Sequence, residues 1–186
     1  MQKNSSAAFT AKALACSALL AALSVVFARL LSFAPAPNTR WSVDKFPIFL
    51  AGMFFGPLAG SLTGFAADTV GCLFSPYGIN PIFSIPAILY GLFGGIFRYF
   101  LAKRPGLLRL IAAYLFPVLL GSWLYQSAAL AFVYNPATFM VSFATNLGLR
   151  GLQFAVVGTA EVVAIYLLLK TRVFEHAKLW PPVRRK

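Results

Sequence analysis

The run Arg40–Gly71, RWSVDKFPIFLAGMFFGPLAGSLTGFAADTVG, decides the fold of this chain. It leaves a charged, aromatic loop at Lys45 and turns apolar, with Gly52, Gly56, Gly60 and Gly64 four residues apart and Pro57 in their midst. On a lipid-embedded helix, glycines at that spacing strip one face of side chains and let neighbouring backbones approach. The Gly56-Pro57 break carries no charge, which predicts a tight reversal between two membrane helices rather than a kink inside one. Asp68 then falls within the second helix of the pair. A carboxylate at membrane depth costs at least about 2.5 kcal/mol, so it must face protein, water or a cation rather than lipid.

Outward from this stretch the chain stays apolar: 60% of its residues are hydrophobic and 11% charged, with a mean hydropathy of +0.79. That composition defines an integral membrane protein. Its apolar runs are continuous rather than alternating, which requires helices and excludes a barrel. At about 20 residues per crossing, the expectation is an all-α membrane protein of six transmembrane helices. Their approximate limits are 11–33, 46–56, 58–74, 81–102, 107–133 and 139–170. Residues 1–186 are expected to form one six-helix domain, with short cytoplasmic tails at about 1–10 and 171–186. A cleaved leader is not expected, because Lys12 directly precedes ALAC and no apolar region comes before it. The segment 34–45 is the longest polar connection and cannot lie in lipid.

Orientation follows from the cations. Lys3 and Lys12, the group Arg98, Lys103, Arg104 and Arg109, and the C-terminal run Lys170, Arg172, Lys178, Arg184, Arg185 and Lys186 all fall on one side if both termini are cytoplasmic. The net charge of +12 is thereby a signal of N-in, C-in topology and of contact with anionic lipid. Nucleic-acid binding is not expected, since no basic soluble module exists.

Arg29, Arg40, Lys45 and Arg150 fall on the outer side, where the orientation rule gives them no reason to be. Snorkelling accounts equally well for Arg29 and Lys45. Arg150 shares one face of the last helix with Asn146 and Gln153, at i, i+4 and i+7. Three polar side chains in line within an apolar helix predict a lined cavity, with Asp68 expected to orient Arg150 or another buried cation. Trp41, Tyr77, Phe83, Tyr90 and Trp123 lie on or near outer loops and suit a flat ligand, although aromatic belts are ordinary at membrane interfaces. On the first helix Ala11, Ala15, Ala18 and Ala22 form one small-residue stripe, a mark of close packing within the chain or with a partner.

Several chemistries are missing. The chain has no GxxxxGK[ST] phosphate loop, and its single histidine, His176, lies in the C-terminal tail. Cys16 and Cys72 lack further metal ligands, and Asp44, Asp68, Glu161 and Glu175 look too scattered for paired-carboxylate work. No enzyme, cofactor or metal site is expected.

The block DKFPIFLAGMFFGPLAGSLTGFAADTVG, the alanine-rich ALLAALSVVFARLL and the later NLGLRGLQ together resemble the substrate-binding S component of an energy-coupling factor (ECF) vitamin transporter, folate-specific branch, over about 11–170. The resemblance implies a six-helix subunit of a prokaryotic plasma membrane whose vitamin site faces outward and is closed by the first loop. It also implies an AxxxA contact, matched by Ala18 and Ala22, that docks onto a transmembrane T component driven by two ATPases. The expected substrate site draws on Arg40, Trp41, Asn146, Arg150, Gln153, Asp68, Arg29 and Tyr77. Folate fits the residues, its carboxylates needing cations and its rings aromatic slots. Another anionic vitamin such as pantothenate, or a non-transporting channel or scaffold, stays open.

Overall fold

The computed structural model describes residues 11–36, 39–74, 80–103, 106–171 and 179, the side chains of 34–40 excepted. Helix α1 (Ala11–Leu30) leads into a two-stranded hairpin, β1 (Ser32–Ala36) and β2 (Thr39–Ser42). Then come α2 (Phe46–Phe55), α3 (Pro57–Leu73), α4 (Pro81–Ile96) and the short α5 (Arg98–Lys103). A continuous helical rod follows: α6 (Leu107–Pro117), a π-helical stretch Val118–Tyr125, and α7 (Gln126–Tyr134). Helix α8, Phe139–Lys170, closes the chain.

Local chemistry sets the boundaries. Proline opens α3 at its first residue and sits at the start of α2 and α4, where a missing N–H leaves no intrahelical bond unmade. Asn80 caps α4 by accepting from the Ile82 amide at 3.1 Å. Gly56 has φ +101°, a conformation open to glycine and costly for other residues, and there the chain reverses between α2 and α3 as expected. The equal spacing of the four glycines is therefore not one stripe on one helix. Gly52 belongs to α2, Gly56 makes the turn, and Gly60 and Gly64 belong to α3.

These glycines lock α2, α3 and α4 backbone to backbone. A Cβ built on Gly52 would lie 2.8 Å from the Gly95 amide nitrogen, one on Gly60 2.8 Å from that of Gly52, and one on Gly91 2.7 Å from that of Ser61. Gly94 meets the Phe49 carbonyl and Gly95 meets Pro57 in the same way. In a bilayer no hydrophobic effect pushes helices together, so contact this close supplies the van der Waals attraction that does.

Three described stretches are long and apolar enough to cross a membrane, Ala11–Leu30, Leu107–Tyr134 and Pro136–Lys170, while Phe46–Phe55 and Pro81–Ile96 are shorter. Each of the six apolar segments read from the sequence is mainly helical, the first passing into β1 at Ser32 and the fourth interrupted at Phe97, and α2, at 10 residues, rises only about 15 Å, half of a bilayer core. The departure from the all-α expectation is the hairpin, which pairs Ser32 with Ser42 and Phe33 with Trp41. Paired strands satisfy each other's N–H and C=O groups, so a polar connection in this form can pack against protein at depth. Here β2 lies against α8, and the following Asp44 is buried.

Candidate functional site

Helix α8 buries Arg150, Gln153, Val157 and Glu161 on one face, at i, i+3, i+7 and i+11, with Asn146 one turn earlier. Arg150 is 6% exposed, and its guanidinium carbon stands 5.3 Å from the centre of the Phe154 ring. Its Nε has no hydrogen-bond partner, and among the described residues no carboxylate pairs with it; the one recorded ion pair joins Lys45 to Asp44 at 2.8 Å. A buried guanidinium stacked on an aromatic face and lacking a counter-ion is suited to receive an anion.

The polar seam that holds Arg150 draws on α8, α7, the π-helical stretch, α4 and α6. On α8, the Asn146 amide donates to the Ser127 carbonyl of α7 at 3.5 Å. Across the same seam Trp123 Nε1 donates to the Leu147 carbonyl at 2.9 Å. The Ser127 hydroxyl is buried without a partner among the described residues. The π-helical stretch turns Ser122 toward α4, where the Ser122 and Tyr90 hydroxyls share a hydrogen bond of 3.1 Å. The Tyr90 ring packs on Tyr114 with centroids 5.3 Å apart.

Below this layer is a group that spacing along the sequence did not bring forward. Tyr114 donates to Glu161 Oε2 at 2.6 Å, and the backbone amide of Lys45 donates to Glu161 Oε1 at 2.8 Å. Asp44, next to Lys45, accepts from the Ser42 hydroxyl through its side chain at 2.7 Å and from the Ser24 hydroxyl through its carbonyl at 2.7 Å. Glu161 therefore belongs to the polar seam and is not a scattered acid. Its position eleven residues after Arg150, on the line already carrying Asn146 and Gln153, was the available signal.

Of the other expected site residues, Trp41 is half-buried on β2 and pairs with Phe33. Arg40 lies on the same strand, its side chain outside the description, and Tyr77 is outside the described residues. Arg29 and Asp68 have other partners. Arg29 donates to the Gly71 carbonyl, tying α1 to α3. Asp68 accepts from Ser84 at 2.6 Å and, weakly, from Cys72 at 3.8 Å, tying α3 to α4. The expected pairing of Asp68 with Arg150 is thus not formed, because a neutral hydroxyl on the adjacent helix satisfies the carboxylate. The alanines Ala11, Ala15, Ala18 and Ala22 are all exposed, whereas α1 buries Ala13 and Ser24; the stripe is not packed within the chain.

The chain belongs to the family of ECF transporter substrate-specific components, whose pattern matches residues 12–169. Members of that family are integral membrane proteins, in keeping with the long apolar helices. No curated protein matches the chain. Among solved structures it is similar to FolT bound with folic acid, at 30% identity over 86% of this chain and 93% of that one, with a TM-score of 0.68. It also shares its fold with the S-component for biotin from an ECF-type ABC transporter, at 19% identity over 91% of this chain and 95% of that one, with a TM-score of 0.59.

Proposed function

We propose that this chain is the folate-binding S component of an ECF-type importer in a prokaryotic plasma membrane. It captures the vitamin from outside as a six-helix, N-in, C-in subunit and performs no chemistry of its own. The observation that carries this reading is Arg150: a buried guanidinium over Phe154, with Nε unpartnered, on a helix face shared with Asn146 and Gln153. A folate carboxylate supplies the missing acceptor, and a guanidinium can take it bidentately. Tyr90, Trp123 and Trp41 offer ring faces for the heterocycle. The similarity to FolT bound with folic acid at 30% identity supports folate over other anionic vitamins.

The test is a binding titration with purified protein against folate, pantothenate, biotin and a pteridine lacking the glutamate. A charge-assisted contact contributes about 1.5–3 kcal/mol, so Arg150→Ala should weaken folate roughly tenfold to a hundredfold and leave the glutamate-free pteridine almost unchanged. Lysine at this position should rescue only in part, keeping the charge and losing the fork. Equal weakening of both ligands would make Arg150 structural. Failure of the wild-type protein to bind folate would sink the assignment.

Coupling to transport belongs to the same proposal. The exposed stripe Ala11, Ala15, Ala18 and Ala22 on α1 offers a smooth surface for a T component driven by two ATPases. Ala18→Trp should abolish uptake in cells that hold the coupling subunits and leave the folate affinity of the purified protein within about twofold, since the stripe makes no contact with the site. Loss of affinity in a folded variant would contradict the docking role.

A further inference from the structure

The carboxylate of Glu161 joins three parts of the molecule that the proposed capture of a ligand requires to move or hold together. It is 2% exposed and lies on α8, about 16 Å along the helix from Arg150 at about 1.5 Å per residue. One oxygen accepts from Tyr114 of the α6 rod and the other from the main-chain amide of Lys45. Lys45 is the residue on which α2 begins, and the hairpin strand β2 ends three residues earlier, at Ser42. The joint between hairpin and α2 is held from the opposite side by Ser24 of α1, which donates to the Asp44 carbonyl. Asp44 binds the Ser42 hydroxyl and the Lys45 ammonium, stiffening the joint from within.

The hairpin is thus fixed at its second foot and lies against the helix that carries Arg150. A carboxyl side chain is well suited to this task, because its two oxygens can each take a donor from a different element. We propose that Glu161 is the positioning residue for the cover of the site: it anchors the foot of the first connection to α8 and α6 and thereby sets how long a ligand beneath the hairpin is retained. Glu161 touches no substrate in this scheme. Its influence passes through the Lys45 amide to β2.

Two measurements on the full chain in lipid nanodiscs test the idea, the first needing no ligand. Hydrogen exchange followed across residues 39–45 should accelerate roughly tenfold or more in Glu161→Ala, while 46–73 exchanges as in wild type; Glu161→Gln, which retains an oxygen for the Lys45 amide, should stay within roughly threefold. If the alanine variant does not fold, Tyr114→Phe frees one carboxylate oxygen and should give a smaller acceleration confined to the same segment. Unchanged exchange at 39–42, or acceleration spread evenly through α2 and α3, would overturn the proposal. The second measurement rests on the folate reading. Glu161→Ala should raise the dissociation rates of folate and of the glutamate-free pteridine by the same factor, roughly tenfold, in contrast to the selective effect of Arg150→Ala. Unaltered dissociation beside altered exchange would also overturn it. Absence of folate binding by the wild type would strike the assignment of the vitamin and leave the exchange result to decide the anchor.

Discussion

Helices α2 to α4 and the rod α6 to α7 with α8 solve the same problem, holding apolar helices together without water to drive them, in opposite ways. In the first group backbones touch, and a Cβ on Gly52, Gly60, Gly91, Gly94 or Gly95 would strike main-chain atoms of a neighbouring helix. In the second, a Cβ on Gly148 would meet nothing within 4 Å, one on Gly151 would stop 3.6 Å from Trp123, and one on Gly158 would stop 3.9 Å from Val118. Contact there is made by side chains, among them Asn146, Trp123, Glu161 and Tyr114. Backbone contact has one geometry and cannot yield. Hydrogen-bonded side chains can exchange partners, which is what admitting a ligand asks of them. The rigid half is the frame, and the polar half is where the proposed recognition falls.

Substitutions can break this contrast. The largest effect is expected at Gly91, where a methyl group must push α4 away from Gly60 and Ser61. Gly91→Ala should cost about 3 kcal/mol or more, at the upper end for overpacking because backbone cannot rotate aside, read as a fall in thermal midpoint or loss of folded protein. Next is Asp68→Ala, which leaves the buried Ser84 hydroxyl unpaired and should cost about 1–3 kcal/mol of stability. Combined with Arg150→Ala, it should be additive within about 0.5 kcal/mol; a larger coupling energy in the double-mutant cycle would restore the pairing of Asp68 with Arg150. Tyr90→Phe removes one neutral hydrogen bond with Ser122 and should cost about 1 kcal/mol, measured by denaturation of the ligand-free protein. The smallest effect belongs to Gly148→Ala. With open space around it and a better helix former in place, stability should stay level or rise by up to about 1 kcal/mol, and a clear loss would mean that the polar half is packed as tightly as the frame.

How far the sequence could be read follows the same division. Helix α8 begins and ends where its apolar run does, at Phe139 and Lys170, and Gly56-Pro57 makes the turn that its composition demands. Both are local signals. The glycines Gly91, Gly94 and Gly95 were not legible as partners of Gly52 and Gly60, because spacing within one helix does not say which helix will face it. The hairpin was hidden because SFAPA and TRWS are too short and too rich in turn residues to show strand alternation. Asp68 and Arg150 invited pairing on the ground that rare charges in lipid seek each other. That argument omits hydroxyls such as Ser84 and aromatic faces such as Phe154, which serve at less cost in desolvation. Glu161 was hidden by distance along the chain, since its partners Tyr114 and Lys45 lie 47 and 116 positions away.

The π-helical stretch Val118–Tyr125 acts as a phase shifter within a rod that otherwise reads as one helix. A π-helical turn takes up one more residue than an α-helical one, so everything after Tyr125 is rotated by about 100° relative to the orientation that uninterrupted α-helix would give. Ser127 and its carbonyl contact with Asn146 therefore depend on a residue count as well as on residue identity. Deleting one residue such as Leu119 would take out the extra residue and let the rod relax to regular α-helix with Ser127 still facing α8, whereas regular α-helix with every residue kept would turn Ser127 away by about 100°.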